Sequence, residues 1–213
     1  MIAMDPVLLL LIVANVLFSI KGFKDYSFFE KYKFNVGAIQ RGEHIRNLSS
    51  GFLHADNMHL AFNMITLFFF APVVIRGFSG NSYKFLCIYF VSLLLGSFLS
   101  LLIRKNEPYY SAIGASGAVT GIVYAAILLD PSLRIYGLPG FVFGIGYLVY
   151  SIYGMKNRVG NIGHTAHFGG AIGGYIATIL IQPQIIETNL ITVLILAAPI
   201  IALFVLEKMG KLN

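Results

Sequence analysis

Charge is what this sequence has least of. Only 11% of its 213 residues are charged, while 57% are apolar and the mean hydropathy is +0.79. A soluble domain carries roughly a quarter charged residues. A soluble fold of this size could not cover itself with so little polar surface. Soluble, disordered and disulfide-rich classes are excluded, and the composition implies an integral membrane protein. Cysteine is almost as scarce. Cys87 alone permits no internal disulfide, and inside an apolar run it reads as a small core residue. There is also no basic face. The 15 Lys and Arg residues give a net charge of +6 but are spread over the connections between apolar runs. That pattern points to anionic headgroups, with no nucleic acid as partner.

What is present is a series of apolar runs. A membrane-spanning helix needs about 20 mostly apolar residues, and seven runs approach this: Pro6–Ile20, His59–Ile75, Phe85–Ile103, Ser116–Leu129, Leu138–Tyr153, Ala166–Ile181 and Leu190–Leu206. They are continuously apolar rather than alternating, so they predict helices and not barrel strands. The first run has Asp5 where a signal peptide would carry basic residues, and no small-residue cleavage site follows, so it is expected to stay as an anchor. Most connections are short. Residues 21–57 form the exception, a long loop in which Phe23, Tyr26, Phe28, Phe29, Tyr32 and Phe34 alternate with Lys21, Lys24, Lys31 and Lys33. Such a mixture suits a membrane interface. Asn47-Leu48-Ser49 also matches a glycosylation sequon.

Polar residues inside apolar runs are costly and point to function. Three clusters stand out. His59 and Asn63 sit four apart, on one helical face, and both can donate hydrogen bonds. Gly114-Ala115-Ser116-Gly117, followed by Gly121, opens the fourth run. A serine there serves as a helix cap or as a nucleophile on a glycine-flanked turn with free backbone N–H groups. Ala166-His167-Phe168-Gly169-Gly170, with Gly174 a turn later, opens the sixth. Gly170 and Gly174 on one helix, and Gly117 and Gly121 on another, would let the two backbones pack closely. That pairing would bring Ser116 to His167. If the spans alternate in direction, the second, fourth and sixth run the same way, and His59, Ser116 and His167 fall at one membrane face. No carboxylate within the spans is available to orient His167, so the arrangement is a Ser–His dyad rather than a triad.

These motifs, His59-x-x-x-Asn63, Gly114-x-Ser116-Gly117 and Ala166-His167-x-x-Gly170-x-x-x-Gly174, resemble those of the rhomboid family of intramembrane serine proteases. The segment Arg46–Ala55 resembles the stretch that leads into that family's second span. The resemblance implies an all-α membrane protein with a six-helix catalytic core over residues 1–182 and one added C-terminal span in 183–213, a six-plus-one arrangement. It implies Ser116 as nucleophile and His167 as general base, with an oxyanion hole from His59, Asn63 and the Ser116 backbone N–H. Residues 21–57 would be the partly embedded first loop, with Arg46 at its basic position. Phe141, Phe143 and Tyr147 would border lateral substrate entry. The partners implied are transmembrane protein substrates and the lipid bilayer, with no metal or organic cofactor.

Two positions depart from the family pattern. Many members carry, four residues after the nucleophile, an aromatic ring that packs on the base. Here that position is Thr120, which cannot stack on His167. The residue before Arg46 is Ile45, where a tryptophan is common. Family topology would place the N-terminus in the cytosol of a bacterium and the site on the extracytoplasmic side of the inner membrane. The site-bearing side then carries Lys21, Lys24, Lys31, Lys33, Arg41, Arg46, Arg104, Lys105, Lys156, Arg158, Lys208 and Lys211, against Arg76, Lys84 and Arg134 opposite. The positive-inside rule favours the reverse orientation. Two other functions fit parts of the pattern: an inactive rhomboid-like protein that binds membrane clients, and a small transporter with His59, His164 and His167 as metal ligands.

Overall fold

A computed structural model describes residues 4–157 and 163–209. Arg158 and Lys211 of the charge count lie outside the described residues. Seven helices of 14 residues or more are present among the described residues: α1 (Pro6–Lys24), α5 (Asn57–Gly77), α6 (Ser82–Ile103), α7 (Ser116–Leu129), α8 (Gly140–Asn157), α9 (His164–Ile181) and α11 (Leu190–Lys208). By length and composition α1, α5 and α6 are each able to cross a membrane. Their ends follow local chemistry. Asp5 caps α1 by accepting from the Val7 and Leu8 N–H groups, with Pro6 in the first turn. Asp56 accepts from the His59 N–H at the start of α5, and Asn81 caps α6. Ser82 Oγ donates to Asp5, which ties the starts of α1 and α6 together.

The long connection is not an open loop. α1 runs on to Lys24, and the segment then folds into α2 (Tyr26–Tyr32), β1 (Phe34–Asn35), α3 (Val36–Gln40), α4 (Arg46–Ser49) and a 3₁₀ turn at Ser50–Phe52. Asp25 caps α2 and Asn35 caps α3, each accepting a backbone N–H three residues on. Arg46, 8% exposed, is the clasp of this segment. Its Nη1 donates to the Glu30 carbonyl at 2.7 Å and the Lys33 carbonyl at 2.9 Å, while Nε and Nη2 donate to Glu43. β1 pairs antiparallel with β2 (Ser111–Ala112), so the segment grips the chain just ahead of α7. A second two-residue pair, β3 (Arg134–Ile135) with β4 (Leu138–Pro139), links α7 to α8, and α10 (Ile185–Thr188) precedes α11.

α7 is the axis of the molecule. Every residue from Gly117 to Leu128 is buried, as expected of a helix that is apolar all round. One core joins α1, α5, α6 and α7, and a second joins α7, α8, α9 and α11. With 14 residues α7 is about 21 Å long, short of the roughly 30 Å hydrocarbon layer. Its far end is tied to the start of α11, where Asn189 Nδ2 donates to the Leu128 carbonyl at 2.9 Å. Cys87 is not a core residue, because it lies on the exposed side of α6.

Candidate active site

α9 lies against α7 at backbone contact. A Cβ on Gly170 would fall on the Gly117 carbonyl oxygen, and one on Gly174 on the Gly121 carbonyl oxygen. The same side of α9 meets α6, where a Cβ on Gly169 would come within 2.6 Å of the Leu95 carbonyl oxygen. Only glycine permits such approaches. The consequence lies one turn up. His167 Nε2 is 2.7 Å from Ser116 Oγ. An imidazole at that distance can take the hydroxyl proton. Ser116 is not the cap of α7. Ala115 occupies that position without a side-chain cap bond, and the Ser116 hydroxyl is directed to the histidine instead.

The turn that presents Ser116 is held from two sides. Gly114 has φ +118°, a conformation open to glycine and rarely to other residues. Its N–H donates to the Ser50 carbonyl at 3.0 Å. The next N–H, of Ala115, donates to His54 Nε2 at 3.3 Å. His54 is fully buried, and its Nδ1 is 2.8 Å from Ser19 Oγ, which bonds in turn to the Phe52 carbonyl. Since Nε2 accepts, Nδ1 carries the hydrogen and donates to Ser19. Burial holds the His54 imidazole down to about 3, in the neutral form that this bridge needs. His54 falls within the segment Arg46–Ala55, whose sequence pattern assigns it no role. Its signal is a histidine directly after the segment that grips the turn.

His59 and Asn63 stand on the cavity side of α5. Ala55 N–H donates to His59 Nδ1 at 3.4 Å, which leaves the hydrogen of the imidazole on Nε2. A Cβ on Gly114 would lie 2.8 Å from that Nε2 and 3.6 Å from Ser116 Oγ, so ring and hydroxyl flank the bare glycine. The His59 ring also meets His54 edge-on, with centroids 4.9 Å apart. Asn63 Nδ2 donates one hydrogen to the His59 carbonyl at 2.9 Å, and its second is left for a ligand. The first N–H groups of α7, from Ser116 on, have no acceptor within the helix.

The other imidazole nitrogen of His167 also has a partner. Tyr147 Oη, from α8, is 2.8 Å from Nδ1, and the two rings stack at 5.8 Å and 27°. Tyr147 Oη is also 3.3 Å from Thr120 Oγ1, which bonds to the Ser116 carbonyl at 2.7 Å. α8 is pinned at this level. Tyr124 Oη donates to the Gly144 carbonyl at 2.6 Å, and Leu196 of α11 packs on Gly144. Ser116 and His167 open on a cavity of about 1040 Å³ between α5 and α8, lined by Phe62, Asn63, Val123, Phe143, Tyr147 and Met155 among others. Phe141 is not among its lining residues and packs into the second core. His164 and His167 meet edge to face at 6.3 Å, and the described residues include no group of three His, Cys, Asp or Glu able to hold a metal ion.

The chain is similar to known proteins of one family. The Rhomboid domain model matches residues 41–184. Rhomboid protease GluP of Bacillus subtilis (strain 168) is 35% identical over 139 residues, 65% of this chain and 26% of that protein. RHOMBOID-like protein 12, mitochondrial, of Arabidopsis thaliana is 28% identical over 151 residues, 61% of this chain and 44% of that protein. Putative rhomboid protease YdcA of Bacillus subtilis (strain 168) is 31% identical over 150 residues, 69% of this chain and 71% of that protein. The chain thus spans less than half the length of the first two of these relatives.

Proposed function

The chain belongs to the rhomboid family, and on that premise we propose that it is an intramembrane serine endopeptidase acting through a Ser116–His167 dyad. The observation that carries this reading is the 2.7 Å contact between Ser116 Oγ and His167 Nε2 at the head of a cavity with mostly apolar walls. Ser116 Oγ attacks the carbonyl carbon of a peptide bond while His167 Nε2 takes its proton. The negative charge that develops on the carbonyl oxygen is met by the Ser116 N–H, His59 Nε2–H and the second hydrogen of Asn63. His167 then returns the proton to the leaving nitrogen as the C–N bond breaks. A water, deprotonated by the same imidazole, cleaves the acyl ester and restores Ser116. The residues named need no metal or cofactor to carry these steps.

The protein is an integral membrane protein, and transmembrane segments of other membrane proteins are the proposed substrates. An intact helix buries its carbonyls in hydrogen bonds, so the cut falls where the substrate helix breaks. Six spans, α1 and α5 to α9, form the catalytic core over residues 1–182. α11, in residues 183–213, is the added seventh, and the family match ends at residue 184, ahead of it. The site is proposed to face the extracytoplasmic side of a bacterial inner membrane.

The test is labelling of the full chain in detergent with a fluorophosphonate, alongside cleavage of a model transmembrane substrate. Wild-type protein should be labelled at Ser116 and should turn over. Ser116→Ala should abolish both, and His167→Ala should reduce both to background. Normal turnover by either variant, or a wild-type protein inert to probe and substrate, defeats the proposal.

A further inference from the structure

The stacked ring on His167 comes from α8, and the hydroxyl it carries is tied back to the nucleophile. We infer that Tyr147 and Thr120 are positioning residues that close a one-way ring of hydrogen bonds through Ser116 and His167, fixing the histidine in the tautomer a general base requires. The inference rests on the dyad reading for its importance, but the ring itself follows from counting hydrogens.

A hydroxyl has one hydrogen to donate. Thr120 spends its own on the Ser116 carbonyl at 2.7 Å, one turn back along α7. The 3.3 Å contact between Thr120 Oγ1 and Tyr147 Oη therefore uses the tyrosine's hydrogen. Tyr147 then has none left for His167. The 2.8 Å contact between Tyr147 Oη and His167 Nδ1 must be donated by Nδ1–H. A neutral imidazole carries one hydrogen, so Nε2 is bare and accepts from Ser116 Oγ at 2.7 Å. The opposite tautomer would set two oxygens face to face at Thr120 and Tyr147 with no hydrogen between them. Each bond hands its hydrogen in the same sense, from Ser116 to His167 to Tyr147 to Thr120 and back to Ser116.

Which ring nitrogen is protonated is set by the partner of the other. Here that partner is a phenol, and it stays an acceptor when His167 becomes an imidazolium. Among the described residues no carboxylate is bonded to His167, so the ring does the orienting work, and it joins three helices to do so. Tyr147 is set at the right depth because the Gly144 carbonyl, one turn earlier, is held by Tyr124.

The test compares wild-type protein with Tyr147→Phe, Thr120→Val, Tyr147→Ala, and the aromatic exchange that combines Thr120→Tyr with Tyr147→Ala. The readouts are kcat and KM on the model substrate, the fluorophosphonate acylation rate, the melting temperature, and the ¹⁵N shifts of the His167 imidazole in histidine-labelled protein. Wild-type His167 should be protonated at Nδ1. Tyr147→Phe keeps the stack, loses the acceptor, and should lower kcat about 10- to 100-fold with KM within about twofold. Thr120→Val does not touch His167, yet it frees the tyrosine's hydrogen to turn to Nδ1. It should move the imidazole proton to Nε2 and lower kcat and acylation together. The exchange variant should recover part of what Tyr147→Ala alone loses. Wild-type protonation at Nε2, or a folded Thr120→Val with unchanged tautomer and kcat, overturns the ring even where the protease is active. A wild-type protein with the Nδ1–H tautomer but no labelling or turnover leaves the ring standing and removes the protease reading instead.

Discussion

Adding one methyl group at Gly170 should disable the site without altering any residue that touches substrate. In Gly170→Ala the new Cβ meets the Gly117 carbonyl oxygen, a backbone atom that has no rotamer to escape into. To reach van der Waals distance the two helices must part by roughly 1–1.5 Å. Both helices carry the site at this end, so the 2.7 Å bond between Ser116 Oγ and His167 Nε2 opens to about 4 Å. A displacement of about 1 Å can cost on the order of 10²-fold in rate, and overpacking of this kind destabilises by roughly 1–3 kcal/mol. Gly146→Ala is the control. Gly146 lies on the exposed side of α8, with nothing within 4 Å of a Cβ, and gains helix propensity instead. The assay is fluorophosphonate labelling rate per folded molecule, with thermal unfolding on the same detergent preparation. Gly170→Ala that labels within about twofold of wild type would show that the α7–α9 contact does not set the dyad distance.

Three further outcomes are expected. Asn63→Ala should lower kcat about 10²–10³-fold with little change in substrate binding; a fall in melting temperature with intact kcat would make Asn63 a packing residue. His54 has a folded-state value near 3 and an ordinary value of 6.5 when unfolded, so the unfolded chain takes up a proton that the folded chain refuses. Its share of stability is complete above pH 6.5 and is lost as pH falls toward 3; His54→Gln should flatten that loss by up to about 1.4 kcal/mol per pH unit, read from unfolding midpoints, and equal slopes would refute it. A cysteine placed in residues 104–110, in a Cys87→Ser background, should react with an impermeant thiol reagent outside intact cells. Protection there with labelling in 130–137 would reverse the proposed orientation. Four of the basic residues that argue for the reverse, Lys21, Lys33, Arg46 and Arg104, are paired with carboxylates three or four positions away.

α7 was legible to the residue because glycine punctuates one end and Asp130-Pro131 the other. α8 and α9 begin within two residues of their predicted starts. The short helices of residues 25–49 were not legible, since pieces of four to seven residues are shorter than any apolar period can register. They are held by caps and by Arg46, which are contacts rather than patterns. That Ser116 and His167 come together was legible through the glycines around them. Tyr147 was not found as the partner of His167. The family pattern pointed to position 120, on the helix of Ser116, whereas the ring comes from a helix whose rotation no local pattern specifies. His54 escaped for a similar reason, because its partners are Ser19 and Ala115, 35 and 61 residues distant.

The shortness of α7 bears on where the second reactant comes from. Each bond cut consumes one water, and a hydrocarbon layer supplies almost none. A helix about 9 Å shorter than that layer cannot reach both of its faces, and its leading end, with Ser116, opens on the cavity. At about 30 Å³ per molecule, a hollow of about 1040 Å³ has room for many waters. Under the proposed mechanism the deacylating step would draw on a local store, and an entering substrate strand would displace part of it. Partition of the acyl group between water and an added nucleophile such as hydroxylamine would therefore report how wet the cavity stays while the substrate is bound.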